Sequence, residues 1–372
     1  MDDTTRHEYQ TLLSWAGETT TGLGSLIRDC GTPLGALQAP PSRLAELPGA
    51  TQRIIAAARE HWPASNPRRT AYARMLSTLS DLRFLPLMDS GYPEVLRNAP
   101  DPPPWLFVRG VSDVLAKPGV AIVGSRRASH AGLDVAGQIA RRLAASGYSI
   151  CSGLALGIDA AAHRGALETG VTMAVLASGI DRISPARHQR LAEQIMETGC
   201  VLSELPSGTP PQRHQFPRRN RIISGLCCAT IVIESALPSG TLHTAHAALE
   251  QGRDVYVLPW SIFHPQGAGC LRLLRDGATP ICSLEDLPDL FPLMSSAADV
   301  SDCLLIPRHM QKLIDAIGDK PISVGELASS QGMTTMDLLP LLGEMEVAGW
   351  VRRVNGLYER VSQGPCQRSG SC

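Results

Sequence analysis

The feature that most constrains this chain is an alternation between about residues 119 and 291, where short apolar runs give way to amphipathic stretches and back again. Candidate strands are Val120–Val123, Tyr148–Cys151, Thr172–Leu176, Val201–Leu202, Thr230–Ile233 and Val255–Leu258. Helical spacing of apolar residues marks Leu133–Ala145, Ala160–Glu168, Arg187–Thr198 and Thr241–Gln251. A strand that is apolar on both faces must be covered on both faces, and strand–helix–strand connections supply that cover. The pattern therefore predicts an α/β fold with a Rossmann-like, mostly parallel sheet over residues 119–291. In such sheets ligands sit beyond the carboxyl ends of the strands, where loops run into helix N-termini.

The flanks read differently. Residues 1–83 hold short helical stretches broken by Gly and Pro, such as Gly22–Gln38 and Arg43–Glu60. The turn Leu47-Pro48-Gly49 resembles that of a helix-hairpin-helix, which predicts an N-terminal SAM-like helical domain. Its nine arginines against eight acidic residues give no charge argument for DNA there. In residues 84–118 three prolines, Pro102 to Pro104, precede the apolar run Trp105–Val108, as in a linker leading to a strand that extends the sheet. Residues 303–361 show a helix at Pro307–Ile317, two more helical stretches and a hairpin turning at Asn355-Gly356, the outline of a winged helix. Its third helix carries Asp337, Glu344 and Glu346 with no basic residue before Arg352, which favours protein contact over DNA reading. The polar tail, 362–372, is expected to be disordered.

Composition narrows the function. Net charge is −1 over 372 residues, so any nucleic-acid surface must be a local patch. The ten cysteines form no Cys-x-x-Cys pair, which argues against a zinc site or a disulfide framework. The N-terminal MDDTTRHEY lacks the apolar core of a secretory signal, and no apolar run approaches the ~20 residues of a membrane span. A cytoplasmic protein without a membrane segment is expected.

Between Leu205 and Ile233 lie four arginines, Arg213, Arg218, Arg219 and Arg221, and no Asp or Glu. Phe216 and Asn220 lie among them, and Pro217 restricts the backbone. Guanidinium forks grip phosphate oxygens in pairs, and a ring among them offers a base a surface to stack on. Read as a loop, this segment suits single-stranded nucleic acid. Three strand-to-helix turns should reach the same edge: Gly124-Ser125-Arg126; Ser152-Gly153 with Gly157; and Ser239-Gly240-Thr241. Small residues there let backbone N–H groups meet an anion. Each turn taken alone is equally a tight turn or a helix cap. None matches the dinucleotide or P-loop fingerprint, so no cofactor is expected. Asp159 and His163, four apart, share a helix face; that spacing admits an acid–base or metal pair as well as a helix-start carboxylate above a packed imidazole. No catalytic residue and no metal site is assigned.

In order along the chain, GSRRAS, SGLALGIDAAAH, FPRRNRIISGL and IESALPSGTLHTA resemble the DprA/Smf family (DNA-processing protein A), over about Pro93 to Ala278. The flanking domains resemble those of the family's longer members. The resemblance implies a recombination mediator, not an enzyme, that binds and protects single-stranded DNA during natural transformation. It further implies loading of the RecA recombinase and dimerisation through the Rossmann-like domain. The family's DNA contacts fall here on Ser125, Arg126, Arg213 and Phe216, and extend to Arg219, Asn220 and Arg221. The sequence departs at Ile183-Ser184-Pro185, where a Tyr-Pro pair is usual, and at His188, Trp260 and Cys270. The alternative reading is a nucleotide-processing hydrolase of the lysine-decarboxylase-like (phosphoribohydrolase) group. Its P-G-G-x-G-T-x-x-E run has only Pro238-Ser239-Gly240-Thr241 as a counterpart, without the glutamate.

Overall fold

A computed structural model describes residues 2–62, 81–292, 313, 316–317, 322–347, 351–354 and 357–360. The N-terminal segment forms α1 (Asp3–Ala16), α2 (Leu23–Cys30), α3 (Pro33–Leu37), α4 (Pro41–Ala45) and α5 (Gly49–His61). Asp2 caps α1 by accepting the Thr5 backbone N–H at 2.8 Å. Pro33 and Pro41 open α3 and α4 at positions where a missing N–H costs nothing. Gly31, in the left-handed region, ends α2, so the expected helical stretch from Gly22 to Gln38 breaks in two.

The sheet begins one step later with β1 (Leu82–Pro86), followed by α6 (Glu94–Arg97), β2 (Trp105–Gly110) and β3 (Gly119–Val123). Then come α7 (His130–Ala145), β4 (Ser149–Ser152), α8 (Ile158–Leu167), β5 (Thr172–Val175), α9 (Gln189–Thr198), β6 (Cys200–Ser203) and α10 (Gln215–Gly225). The run closes with β7 (Ala229–Val232), α11 (Thr241–Glu250), β8 (Asp254–Val257), α12 (Ala268–Arg275), β9 (Thr279–Pro280) and α13 (Leu287–Leu290). The strand order is β1-β2-β6-β5-β4-β3-β7-β8-β9. β3 pairs in parallel with β4 on one side and with β7 on the other, Val120 opposite Ile150 and Ala229. β2 joins β6 antiparallel, Phe107 opposite Ser203, and β1 joins β2 antiparallel at the edge. The fold is thus Rossmann-like and mostly parallel, with an antiparallel border from the proline-rich segment.

Side chains alternate faces along β3, and each face has its own cover. Val120 and Ile122 pack with Ala136, Ile139 and Leu143 of α7 and with Ile158 and Ala162 of α8. Ala121 and Val123 belong to the opposite core, which includes Ile195 of α9, Ile222 and Ile223 of α10, and the fully buried Trp105 and Phe107. Leu12, Leu13, Leu23, Ile27 and Ile55 of the N-terminal helices lie in that same core, and residues 1–295 form one compact unit. A polar network reinforces this junction. The buried Glu204 carboxylate accepts from Thr20 Oγ1 at 2.6 Å and from Arg221 Nη2 at 2.7 Å. Asp101 accepts the Gly22 N–H at 2.9 Å and lies 3.7 Å from Arg221 Nε.

The second unit, 296–372, contains α14 (Val324–Gln331), α15 (Thr335–Val347), β10 (Val351–Val354) and β11 (Leu357–Arg360). Ser323 and Glu326 close a capping box on α14. Leu327, Leu338, Leu342 and Met345 pack with Val351 and Tyr358 into a small core. This is the winged-helix unit. Most of the expected Pro307–Ile317 helix, the Asn355-Gly356 turn and the 362–372 tail lie outside the described residues.

Removing Glu204 would leave the buried Arg221 with the more distant Asp101 carboxylate alone and take the acceptor of the Thr20 hydroxyl. Glu204→Ala is therefore expected to lower unfolding free energy by about 3–5 kcal/mol, read as a fall in the urea midpoint. An unchanged midpoint would contradict the role given to this network.

Candidate nucleic-acid interface

The strand order reverses at β3, which places a crevice beyond the carboxyl ends of β3 and β7. A cleft of about 570 Å³ opens there. Gly124, Ser125 and Arg126 reach it from β3, Phe216, Arg219 and Asn220 from α10, and Ser239, Gly240 and Thr241 from the start of α11. Arg126 and Phe216 meet: the guanidinium carbon sits 4.7 Å from the ring centroid. Arg126 is exposed and Phe216 half-buried. The ring is thus braced by a cation and keeps part of its surface open.

The sequence reading of Gln212–Leu226 as a loop is corrected: Gln215–Gly225 is helical, with Pro217 tolerated in its first turn. A helix turns 100° per residue, so this segment cannot present all its arginines on one side. Phe216, Arg219, Asn220 and Ile223 form the stripe facing the cleft. Gln215 and Arg218 face the α1–α2 connection instead, and Arg221 faces Asp101 and Glu204. Arg218 donates to the Glu18 carbonyl at 2.9 Å and to Thr20 Oγ1 at 2.8 Å. Arg221 is held by Glu204 and Asp101; burial works to lower its pKa, and the two carboxylates overcome this and raise it. Arg218 and Arg221 therefore support the fold, contrary to their expected place on the ligand. Arg213 precedes the helix, exposed and outside the cleft lining.

Arg219 lies deeper. Its Nη1 donates to the carbonyls of Gly153 (2.8 Å) and Val175, and burial lowers its pKa to about 10, with Asp159 acting against the fall. It stays charged at neutral pH, but its donors point into the fold. Gly153 is required by this approach: a Cβ there would stand 2.4 Å from Arg219 Nη2. Ser152 Oγ is likewise spent, donating to the Ile122 carbonyl at 2.6 Å in a buried site. Gly157, at φ 78°, brings the start of α8 against the Ser125 carbonyl, too close for any Cβ. Ser152, Gly153 and Gly157 thus shape the cleft from beneath rather than line it.

Asp159 does line it, accepting from the N–H groups of Gly153 (3.1 Å) and Ala155 (3.3 Å). Burial raises its pKa, against the pull of Arg219 and those N–H groups. His163 faces elsewhere. It is fully buried, its Nδ1 2.7 Å from Thr172 Oγ1, whose hydroxyl donates to the Ile150 carbonyl. The ring must therefore carry its proton on Nδ1. Asp159 and His163 accordingly act as loop anchor and packed imidazole. Among the described residues no cluster of His, Cys, Asp or Glu is arranged to hold a metal.

Sequence reasoning missed Gln266, which lines the cleft from the turn after β8 and accepts the Ser125 hydroxyl at 2.8 Å. Its place after a strand end was the available signal. Glu234, at the end of β7, accepts from Ser129 N (2.9 Å) and Oγ (2.5 Å), pinning the start of α7, and pairs with His264 at 3.3 Å. Three of the departures from the family pattern are held by local contacts. His188 meets the Leu154 carbonyl at 2.8 Å, Trp260 stacks on His264 with centroids 4.4 Å apart, and Cys270 packs beneath the Val232 and Ile233 carbonyls.

With this geometry in place, comparison with known proteins decides the family: the model of DNA recombination-mediator protein A matches residues 83–292. The chain belongs to that family. The DprA winged helix domain matches residues 308–356. Protein Smf of Escherichia coli is 38% identical over 291 residues, 75% of this chain and 77% of that one. The X-ray structure of DNA processing protein A from Streptococcus pneumoniae superposes with a TM-score of 0.57 at 36% identity, covering 65% of this chain and 86% of that one. The Helicobacter pylori protein, whose structure concerns its mode of single-stranded DNA binding, gives a TM-score of 0.52 at 28% identity, over 56% of this chain and 94% of that one. No described helix is long and apolar enough to cross a membrane.

Burial lowers the His163 pKa from an ordinary 6.5 to about 3, with nearby His188 and Arg219 pushing the same way. Between those values the unfolded chain binds a proton that the folded chain refuses, so stability falls as pH falls through this window. His163→Gln should flatten the dependence by up to about 1 kcal/mol per pH unit, measured by urea denaturation at several pH values between 6.5 and 3. An identical slope in the variant would show that His163 is not the buried neutral group.

Proposed function

We propose that this protein binds single-stranded DNA in the cleft at the β3/β7 switch point. We further propose that it acts there as a recombination mediator, protecting incoming strands and passing them to a RecA-type recombinase during DNA uptake. The observation that carries the reading is the pairing of Arg126 with Phe216 at the mouth of the cleft, 4.7 Å apart. A base stacked on the open part of the ring gains on the order of 1–3 kcal/mol, and the guanidinium beside it can meet the adjoining phosphate. The start of α11 lines the cleft at Ser239-Gly240-Thr241; the Thr241 N–H donates to Ser239 Oγ at 3.2 Å, and the remaining N–H groups of this first turn would meet a second phosphate. Arg213, exposed just before α10, adds charge outside the cleft. Membership of the family and the single-strand binding of the Helicobacter pylori relative support the same ligand. We infer a binding protein rather than an enzyme, working as a homodimer through the Rossmann-like unit in the cytoplasm.

Fluorescence anisotropy with labelled oligo-dT at two salt concentrations tests this. Phe216→Ala should weaken binding by about 5- to 100-fold with little change in salt dependence. Arg126→Ala should weaken it and reduce the slope of log affinity against log salt by about 0.7. Full affinity in a folded Arg126→Ala/Phe216→Ala variant would sink the assignment.

A further inference from the structure

A second cleft, of about 410 Å³, opens beside the first and shares Arg126 and Arg127 with it. Arg164 of α8 and Arg187 complete its charge, and no Asp or Glu lines it. All four arginines are exposed. Among the described residues, the guanidinium groups of Arg127, Arg164 and Arg187 make no hydrogen bond or ion pair. This separates them from Arg218, Arg219 and Arg221, whose guanidinium groups are hydrogen-bonded inside the fold. Arg187 is presented by a fixed turn, because its neighbour His188 is buried and tied to the Leu154 carbonyl at 2.8 Å. Arg164 also borders a groove with Glu168 and Glu197, but Glu168 is held by Arg141 at 2.6 Å.

The two clefts differ in what they can recognise. The first has an aromatic ring at its mouth; the second has cations, a floor of Ala128, Leu133, Leu156 and Ala160, and only the imidazole of His188, which is buried and tied to the Leu154 carbonyl and so offers a base no open face. Four like charges without counter-charges repel one another, and a polyanion relieves that repulsion. We propose that the second cleft carries the sugar–phosphate backbone of the strand whose base stacks on Phe216, with Arg126 and Arg127 as the shared step between the two. This rests on the function proposed above and extends it by two phosphate-binding residues, Arg164 and Arg187.

The test compares an oligo-dT of about five nucleotides with one of about fifteen, within the range of known single-strand site sizes. The unsubstituted protein should bind the longer more tightly. Arg164→Gln/Arg187→Gln, two exposed changes, should leave the short oligomer's Kd within about twofold, weaken the long one about tenfold, and cut its salt slope by about 1.4, or 0.7 per lost phosphate contact. Unchanged affinity and slope on the long oligomer overturn the inference while leaving the first cleft standing. Equal weakening on both lengths also overturns it, because the two arginines then act on the first cleft or on the fold. If the unsubstituted protein binds neither oligomer, the proposed function fails and this inference with it.

Discussion

The site depends on the helical period of Gln215–Gly225. A dense set of cations is stable only if most of them find partners, and a helix distributes its residues between two surroundings by rotation alone. On one side, Arg218 and Arg221 bind the carbonyl of Glu18 and the carboxylates of Glu204 and Asp101. This stitches the N-terminal helices to the sheet. On the other side, Phe216, Arg219 and Asn220 look into the cleft. The same eleven-residue helix therefore fixes the architecture and furnishes the site.

Arginine suits both tasks for one reason: several donors in a rigid fork and a charge that survives burial. Arg219 shows the limit, its pKa brought down to about 10 yet still above neutrality, bridging the carbonyls of Gly153 and Val175 beneath the cleft floor. Above that floor, Arg126 and Phe216 meet at the mouth of the cleft. A net charge of −1 is compatible with this, since four exposed arginines gather around the second cleft while Arg218, Arg219 and Arg221 are partnered inside the fold.

Much of the fold was legible because buried strands announce themselves: Gly119–Val123 is apolar throughout and Ala229–Val232 is apolar but for Thr230, and the sequence reading placed both within a residue. The four family motifs likewise located the edge where the turns converge. The division among the arginines was not legible. It follows from contacts with Glu18, Thr20 and Asp101, more than a hundred residues away in sequence, and from a helix that Pro217 and the polar run disguised as a loop. Acid-free sequence around Arg221 said nothing of the carboxylates that meet it in space. Gln266, Arg164 and Arg187 lie outside any motif, and only the packing of α8, α9 and the turn after β8 brings them to the clefts.

In the proposed function the strand touches Phe216 and Arg126, while Arg218 and Arg221 work inside the fold. Photo-crosslinking of an iodouracil-substituted oligonucleotide, mapped by mass spectrometry, tests it most directly. The expected result is a crosslink at Phe216, the ring proposed to stack on the base. Crosslinks confined to the N-terminal helices, on the side of α10 that Arg218 and Arg221 face, would contradict it.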